Sequence, residues 1–248
     1  DYNAINLYAN YRYSWNDTHN LSLMGGFNQE SSDWKKLYTY SYDMINEKYP
    51  SHSTATGENK VITDDHRVYT VRGAFYRINY DYKGKYLAEL ACRYDGSYRY
   101  APGSRWAFFP SASVGWRISE ESFIKDNFKF VDNLKLRFSA GRSGQDAGDP
   151  FQYFSGYTLN SGGYVFSQGN YTNGVASPVM INKNLTWIKV NMYNIGIDFS
   201  IFNRLIAVEF DIYQRDRSGL LADRYGSLPN TFGSKLPQEN LNGDRTRG

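Results

Sequence analysis

The sequence predicts an all-β protein: an antiparallel transmembrane β-barrel wall of about eight consecutive strands. Three observations carry this. Apolar and aromatic residues alternate with polar ones at period two along most of the 248 residues. The alternating runs are about 11 to 15 residues long, above the about 5 to 6 usual in globular proteins and sufficient for the about 9 to 11 that a tilted strand needs to cross a bilayer. The connections also alternate in length, short after odd-numbered runs and long after even-numbered ones, as transmembrane barrels require when one end carries turns and the other carries loops.

The elements follow in order. Ile5, Leu7, Ala9, Tyr11, Tyr13 and Trp15 alternate with Asn6, Tyr8, Asn10, Arg12 and Ser14. After the "NDTH" turn, Leu21, Leu23, Gly25 and Phe27 make a second strand. The polar stretch from Glu30 to Arg67 reads as a long loop. Ala74, Tyr76, Ile78, Tyr80 and Tyr82 form a third strand, and Lys83-Gly84 turns it into Tyr86, Ala88, Leu90, Cys92 and Tyr94. The loop "SYRYAPGSR" leads to Trp106, Phe108, Pro110, Ala112, Val114 and Trp116. Pro110 cannot donate to a ladder, so a bulge or a local break is expected there. "ISEESFIKDNFKFVDN" reads as a helical turn with Ser119 as its cap. Leu134, Leu136, Phe138 and Ala140 make the sixth strand, followed by a long Gly-, Asn- and Tyr-rich loop from Arg142 to Thr186. The last hairpin pairs Tyr193, Ile195, Ile197, Phe199 and Ile201 with Ile206, Val208, Phe210 and Ile212 around Asn203-Arg204, and a final polar loop runs to the end.

The composition fits this class. Mean hydropathy is −0.63, and aromatic content is 17%, with 23 Tyr against 15 Phe. No run of about 18 apolar residues exists, so no transmembrane helix is expected. A barrel still satisfies the low mean, because lipid-facing and lumen-facing residues alternate. Tyr and Trp cluster where the apolar face meets the short turns (Tyr13, Trp15, Tyr80, Tyr82, Tyr86, Trp116, with Phe202) and again at Tyr94 and Trp106, as two interfacial girdles would. Ala88, Leu90, Ile78, Val208 and Ile197 are then expected to face lipid, and Glu89, Arg93, Arg137 and Glu209 a wet lumen. Lys83-Gly84 and Asn203-Arg204 are expected on the periplasmic side, and the segments near Trp34, Tyr157 and Leu228 outside the cell. Periodicity alone leaves two alternatives open: a soluble, carbohydrate-binding β-domain with its apolar face inward, and a complete eight-stranded barrel serving as anchor or adhesin.

Several blocks carry a resemblance. These are "KYL" at Lys85, "DGSYRY" at Asp95–Tyr100, "FPSASVGWRISEE" at Phe109–Glu121, "LKLRFSAGRSG" at Leu134–Gly144, "NKNLTW" at Asn182–Trp187, "IGIDFSIFNRLIAVEFDIYQR" at Ile195–Arg215, and "LPNTFG" and "NLNGDRTRG" near the end. In this order they resemble the SusC/RagA-like family of TonB-dependent outer-membrane transporters of Bacteroidetes-type bacteria. The one local departure is DGSYRY where the family reads DGSSRF. The resemblance implies a 22-stranded plugged barrel, of which residues 1–248 supply part of the wall, without the plug and the C-terminal strands. It also implies a location in the outer membrane, import of an oligosaccharide or peptide, energy delivered by TonB through the plug, and a SusD-like surface lipoprotein as lid.

No chemistry of another kind stands out. A net charge of +3 gives no basic footprint for nucleic acid, and a lone Cys92 excludes an internal disulfide. His19, His52 and His66 lack metal-ligand spacing, "GRSG" is not a nucleophile elbow, and "DAGD" at Asp146–Asp149 reads as an ordinary turn. No cofactor and no catalytic residue is therefore expected. The long loops are the expected place of function, because Trp34, Tyr38, Tyr40, Tyr42 and the Arg142–Thr186 loop combine aromatic faces with hydrogen-bonding groups. Arg142, Tyr153, Tyr157 and Tyr164 are the candidate ligand-binding residues, with Arg142 continuing the inner face of Arg137 toward the mouth. That loop is expected to be dispensable for assembly.

Overall fold

A computed structural model describes residues 1–248 apart from residues 17, 59, 158, 168–169, 177, 179 and 225–235. Its strands are β1 (Tyr2–Trp15), β2 (His19–Tyr40), β3 (Val61–Tyr82), β4 (Tyr86–Ser97), β5 (Trp106–Arg117), β6 (Val131–Gln145), β7 (Leu159–Ser167), β8 (Asn170–Val175), β9 (Ile188–Ile201), β10 (Ile206–Ala222) and β11 (Glu239–Arg247). Nine of them form one antiparallel meander, β1-β2-β3-β4-β5-β6-β9-β10-β11, and β7-β8 stands apart as a hairpin. β1 and β11 occupy opposite edges of the sheet, which disfavours a closed eight-stranded barrel.

The register converts the alternation into two continuous faces. Tyr80, Ala88, Val114, Phe138, Ile195 and Ile212 line up across six neighbouring strands. One residue over, Asn79, Glu89, Ser113, Ser139, Asn194 and Tyr213 line up on the other side. The sheet curves toward the polar side, where Arg12, Asn79, Glu89, Ser113, Lys135 and Arg137 line a recess of about 610 Å³. The apolar side is convex and uncovered, with Leu90 53%, Ile195 59% and Val208 50% exposed. This is the inverse of a soluble barrel and needs an apolar solvent outside.

Aromatics bound the convex band at both ends. Tyr82, Tyr86 and Trp116 stack in series at 6.2 and 6.4 Å at the short-turn end, and Tyr94 stacks on Trp106 at 5.0 Å at the other. From Trp116 to Trp106 is about 33 Å along the strand, or about 25 Å when tilted by about 40°, which matches the apolar band of membrane barrels.

The polar face is held by cross-strand charge pairs. The Arg137 guanidinium lies 2.7 Å from Asp198 and 3.1 Å from Asp211. It passes beside Gly196, where a Cβ would collide with Asp211 Oδ1 and stand 2.9 Å from Arg137 Cζ. The glycine therefore admits the ion pairs by its lack of a side chain.

The structure corrects several expectations. Nearly half of the Glu30–Arg67 stretch is strand: β2 and β3 continue their pairing to Tyr40↔Val61, and the loop is confined to the residues between them. Above the band both faces are wet, so the apolar alternation that marks a strand disappears while the ladder continues. The same reason hides β11, which lies in the stretch read as a final loop; Asp216–Arg245 (2.6 Å) and Arg217–Asp244 tie it to β10 with charges on both faces. The loop after β6 holds the β7-β8 hairpin. Ser119 is no cap: it sits inside a 3-10 turn at Ile118–Glu120, its Oγ buried without a hydrogen-bond partner, and Glu121 precedes the single helical turn α1 (Ser122–Lys125). Pro110 does break the ladder. Pairing of β5 with β6 stops at Ser111↔Gly141, whereas pairing with β4 continues to Gly96↔Trp106.

Glu121 staples the short-turn end. Its Oε1 accepts from Tyr86 Oη at 2.7 Å and Trp116 Nε1 at 3.1 Å, and its Oε2 from Lys85 Nζ at 3.0 Å. These bonds, that from Tyr86 foremost, stabilise the charged form and lower its pKa from 4.5 to about 2. A lowered folded-state pKa stabilises the fold fully above the unfolded value, and this contribution is lost as pH falls. Glu121→Gln is therefore expected to flatten the loss of stability between pH 4.5 and about 2, read by urea unfolding followed through tryptophan fluorescence. An unchanged profile would show that the staple contributes nothing.

Candidate functional site

The long-loop end is a built structure. Its centre is the "DGSYRY" end of β4. Ser97 is fully buried and donates through Oγ to Asp146 Oδ2 at 3.1 Å, while Arg99 Nε donates to the same oxygen at 3.2 Å and its other arm to the Gly148 carbonyl. Tyr100, 1% exposed, accepts from the Ala147 N–H at 2.9 Å. Burial pushes the Tyr100 phenol pKa up, and the bond from Ala147 opposes this. Tyr69 and Tyr98 are also raised, first by desolvation. The "DAGD" turn thus works as a clamp on the β4-β5 loop.

Below the clamp, the splay that opens between β5 and β6 beyond Pro110 is filled. Phe109, Tyr100, Leu185 and Trp187 form the buried cluster, with Trp187 5.4 Å from Phe109 and 5.7 Å from Tyr100. A Cβ at Gly144 would collide with the Phe109 ring. Trp187 Nε1 donates to the Arg105 carbonyl at 2.9 Å, and Asn240 on β11 bonds both the N–H and the carbonyl of Thr186 at 3.0 and 2.9 Å. Arg142 to Thr186 is therefore only in part a loop. Its first residues belong to β6, paired with β9 as far as Gln145↔Ile188, its Asp146 and Ala147 hold the clamp, and Leu185 is core.

Outside this core lies an aromatic run. Tyr69 meets Tyr98 at 5.6 Å, Tyr98 meets Phe151 at 5.6 Å, Phe151 meets Phe154 at 6.1 Å, and Phe154 meets Tyr153 at 4.5 Å. Beyond it the β2-β3 hairpin projects past its neighbours, with Trp34, Tyr38 and Tyr40 on the face that continues the concave side. Arg67 covers the Trp34 ring and Lys36 the Tyr38 ring.

The predicted residues are divided by this geometry. Tyr153 belongs to the aromatic run, with its hydroxyl 3.5 Å from Arg105. Tyr157 is 72% exposed nearby in sequence. Tyr164 lies in β7, but its side chain is outside the described residues, as are Leu228 and the rest of "LPNTFG". Arg142 is not on the inner face. It pairs with Asn191, in phase with Leu136↔Ile197, and donates to Asn191 Oδ1 at 2.8 Å on the convex side. Odd-numbered residues of β6 face inward, so Arg137 and Arg142 cannot share a face. Sequence reasoning missed Tyr69, Tyr98, Phe151 and Phe154.

Comparison with known proteins agrees with this architecture. A family model for the "TonB dependent receptor-like, beta-barrel" matches residues 1–248. The TonB-dependent receptor SusC of Bacteroides thetaiotaomicron is 34% identical over 170 residues, 68% of this chain and 17% of that protein. The TonB-dependent receptor P39 of Formosa agariphila is 31% identical over 252 aligned residues, 97% of this chain and 22% of that protein. The RagAB peptide importer in its closed-closed state superposes with a TM-score of 0.86 at 20% identity, covering 99% of this chain and 26% of that one. The chain thus spans between 17% and 24% of the length of the curated relatives it matches.

Proposed function

This chain belongs to the TonB dependent receptor-like β-barrel family, and from that premise we propose that it forms part of the wall and mouth of an outer-membrane transporter importing a large nutrient, an oligosaccharide or a peptide. The long-loop end is the extracellular side and the short-turn end the periplasmic side. The observation that carries the reading is the aromatic run Tyr69, Tyr98, Phe151, Phe154 and Tyr153 at the long-loop end of a wall with one polar face. Ring faces suit sugar C–H groups and peptide side chains, and the nearby Arg and Asp side chains supply directional bonds. Tyr157 and Tyr164 belong to the same loop and are proposed ligand contacts together with Tyr153. A peptide ligand is supported by the likeness to RagAB, described as a peptide importer. In the whole protein, TonB acts through the plug, which packs against the concave face, and a SusD-like surface lipoprotein closes the mouth.

The test replaces Phe151, Tyr153 and Phe154 with Ala and residues 155–179 with a short Gly-Ser bridge in the full-length protein, keeping the Asp146–Ala147 clamp and Leu185–Trp187. Normal insertion with lost uptake of the cognate oligosaccharide or peptide is expected. Normal insertion with unchanged binding and uptake would reduce the loop to a cap.

A further inference from the structure

The connection between β5 and β6 leaves the wall on its convex side. Glu121 fixes this, because two of its partners, Tyr86 and Trp116, are convex-face residues stacked 6.4 Å apart. The rest of the connection carries three uncovered rings among polar residues: Phe123, Phe128 and Phe130 are 54%, 44% and 47% exposed. Phe130 stacks on Phe202 of the β9-β10 turn at 5.8 Å, and the Phe202 N–H donates to the Phe130 carbonyl at 2.9 Å. Arg204 N–H reaches Asp132 at 2.8 Å, and Leu205 beside it is 79% exposed. Two connections are thereby joined into one aromatic surface that continues the convex band at Leu134, Ile201 and Ile206.

We propose that this surface is a foot seated in the headgroup region of the periplasmic phospholipid leaflet, resting on the reading of the sheet as an outer-membrane wall. The occupant follows from continuity: the convex band already meets acyl chains, and the foot continues it at the end marked by the Tyr82–Tyr86–Trp116 girdle. Aromatic rings flanked by Lys125 and Lys129 suit that boundary, where an apolar body and a wet backbone coexist. The foot would fix the height of β5, β6, β9 and β10 in the bilayer.

The test uses the full-length protein with Cys92→Ser, reconstituted in phosphatidylcholine vesicles with chain-brominated lipid. Bimane is placed singly at Phe123→Cys, Phe128→Cys, Leu90→Cys and Glu89→Cys. Labels at 123, 128 and 90 are expected to lose about twofold in emission relative to the label at 89. If only position 90 is quenched, the wall reading stands and the foot is overturned. If position 90 is not quenched, the wall reading itself fails and takes the foot with it. Hydroxyl-radical footprinting of the unmodified protein in the same vesicles is an independent readout. Phe123 and Phe128 are expected to be shielded as well as Phe138, and oxidation as fast as Phe151 overturns the proposal.

Discussion

Trp187→Ala is expected to loosen the cap at the long-loop end while leaving the strand ladder assembled. The ring is 6% exposed, packs on Phe109 and Tyr100, and donates to the Arg105 carbonyl. Truncating a buried Trp costs about 3 to 5 kcal/mol, and here it also removes one of the two donors to the Arg105 carbonyl, leaving the Ser97 N–H at 3.3 Å. The cavity opens in the splay above Pro110, where β5 has no ladder to β6 to hold it. The loss should therefore appear as local opening, not global unfolding. Trypsin cleavage after Arg99 or Arg105 in the folded, membrane-inserted protein is the readout, with faster cleavage expected in the variant. Equal cleavage rates would mean that the Ser97–Arg99–Asp146 clamp suffices without the cluster.

The second large effect concerns which face meets lipid. Leu90→Arg and Ile195→Arg place a cation on the convex band between the two girdles, and each is expected to cost about 2 to 4 kcal/mol near the midplane. Glu89→Arg places the same cation on the concave side, where Arg77 Nε stands 3.9 Å from the Glu89 carboxylate and water reaches both. Its cost is expected to stay below about 1 kcal/mol, the scale of an exposed ion pair. Reversible urea unfolding of the full-length protein in lipid vesicles measures all three. Similar costs at positions 89 and 90 would invert or abolish the assignment of faces.

The readable parts of the fold share one physical feature. Inside the apolar band, lipid on one side and water on the other force a strict alternation, so Tyr86–Ala88–Leu90–Tyr94 against Glu89–Arg93–Asp95 is legible residue by residue. The girdles are legible because Tyr and Trp suit the boundary, and the break at Pro110 because a missing N–H cannot be replaced. Above the band this contrast vanishes. The upper halves of β2 and β3, and all of β11, are strands whose two faces are both wet, so their residues show no period to read.

By itself, then, the sequence determined the strand alternation, the convex and concave faces, the girdles and the family resemblance, since each follows from local chemistry repeated along one strand. Only the tertiary structure decided what depends on register between distant segments. It turned Arg142 outward, because its phase is set by pairing with Asn191 on β9. It joined "DGSYRY" to "DAGD" and "NLTW" to Asn240, contacts across 47 to 54 residues of chain. It set Glu121 against Tyr86 and Trp116, so that an apparent polar turn became a staple. A single strand carries its own solvent history but holds no record of which partner completes a hydrogen bond, and that is fixed only when the sheet closes the distance.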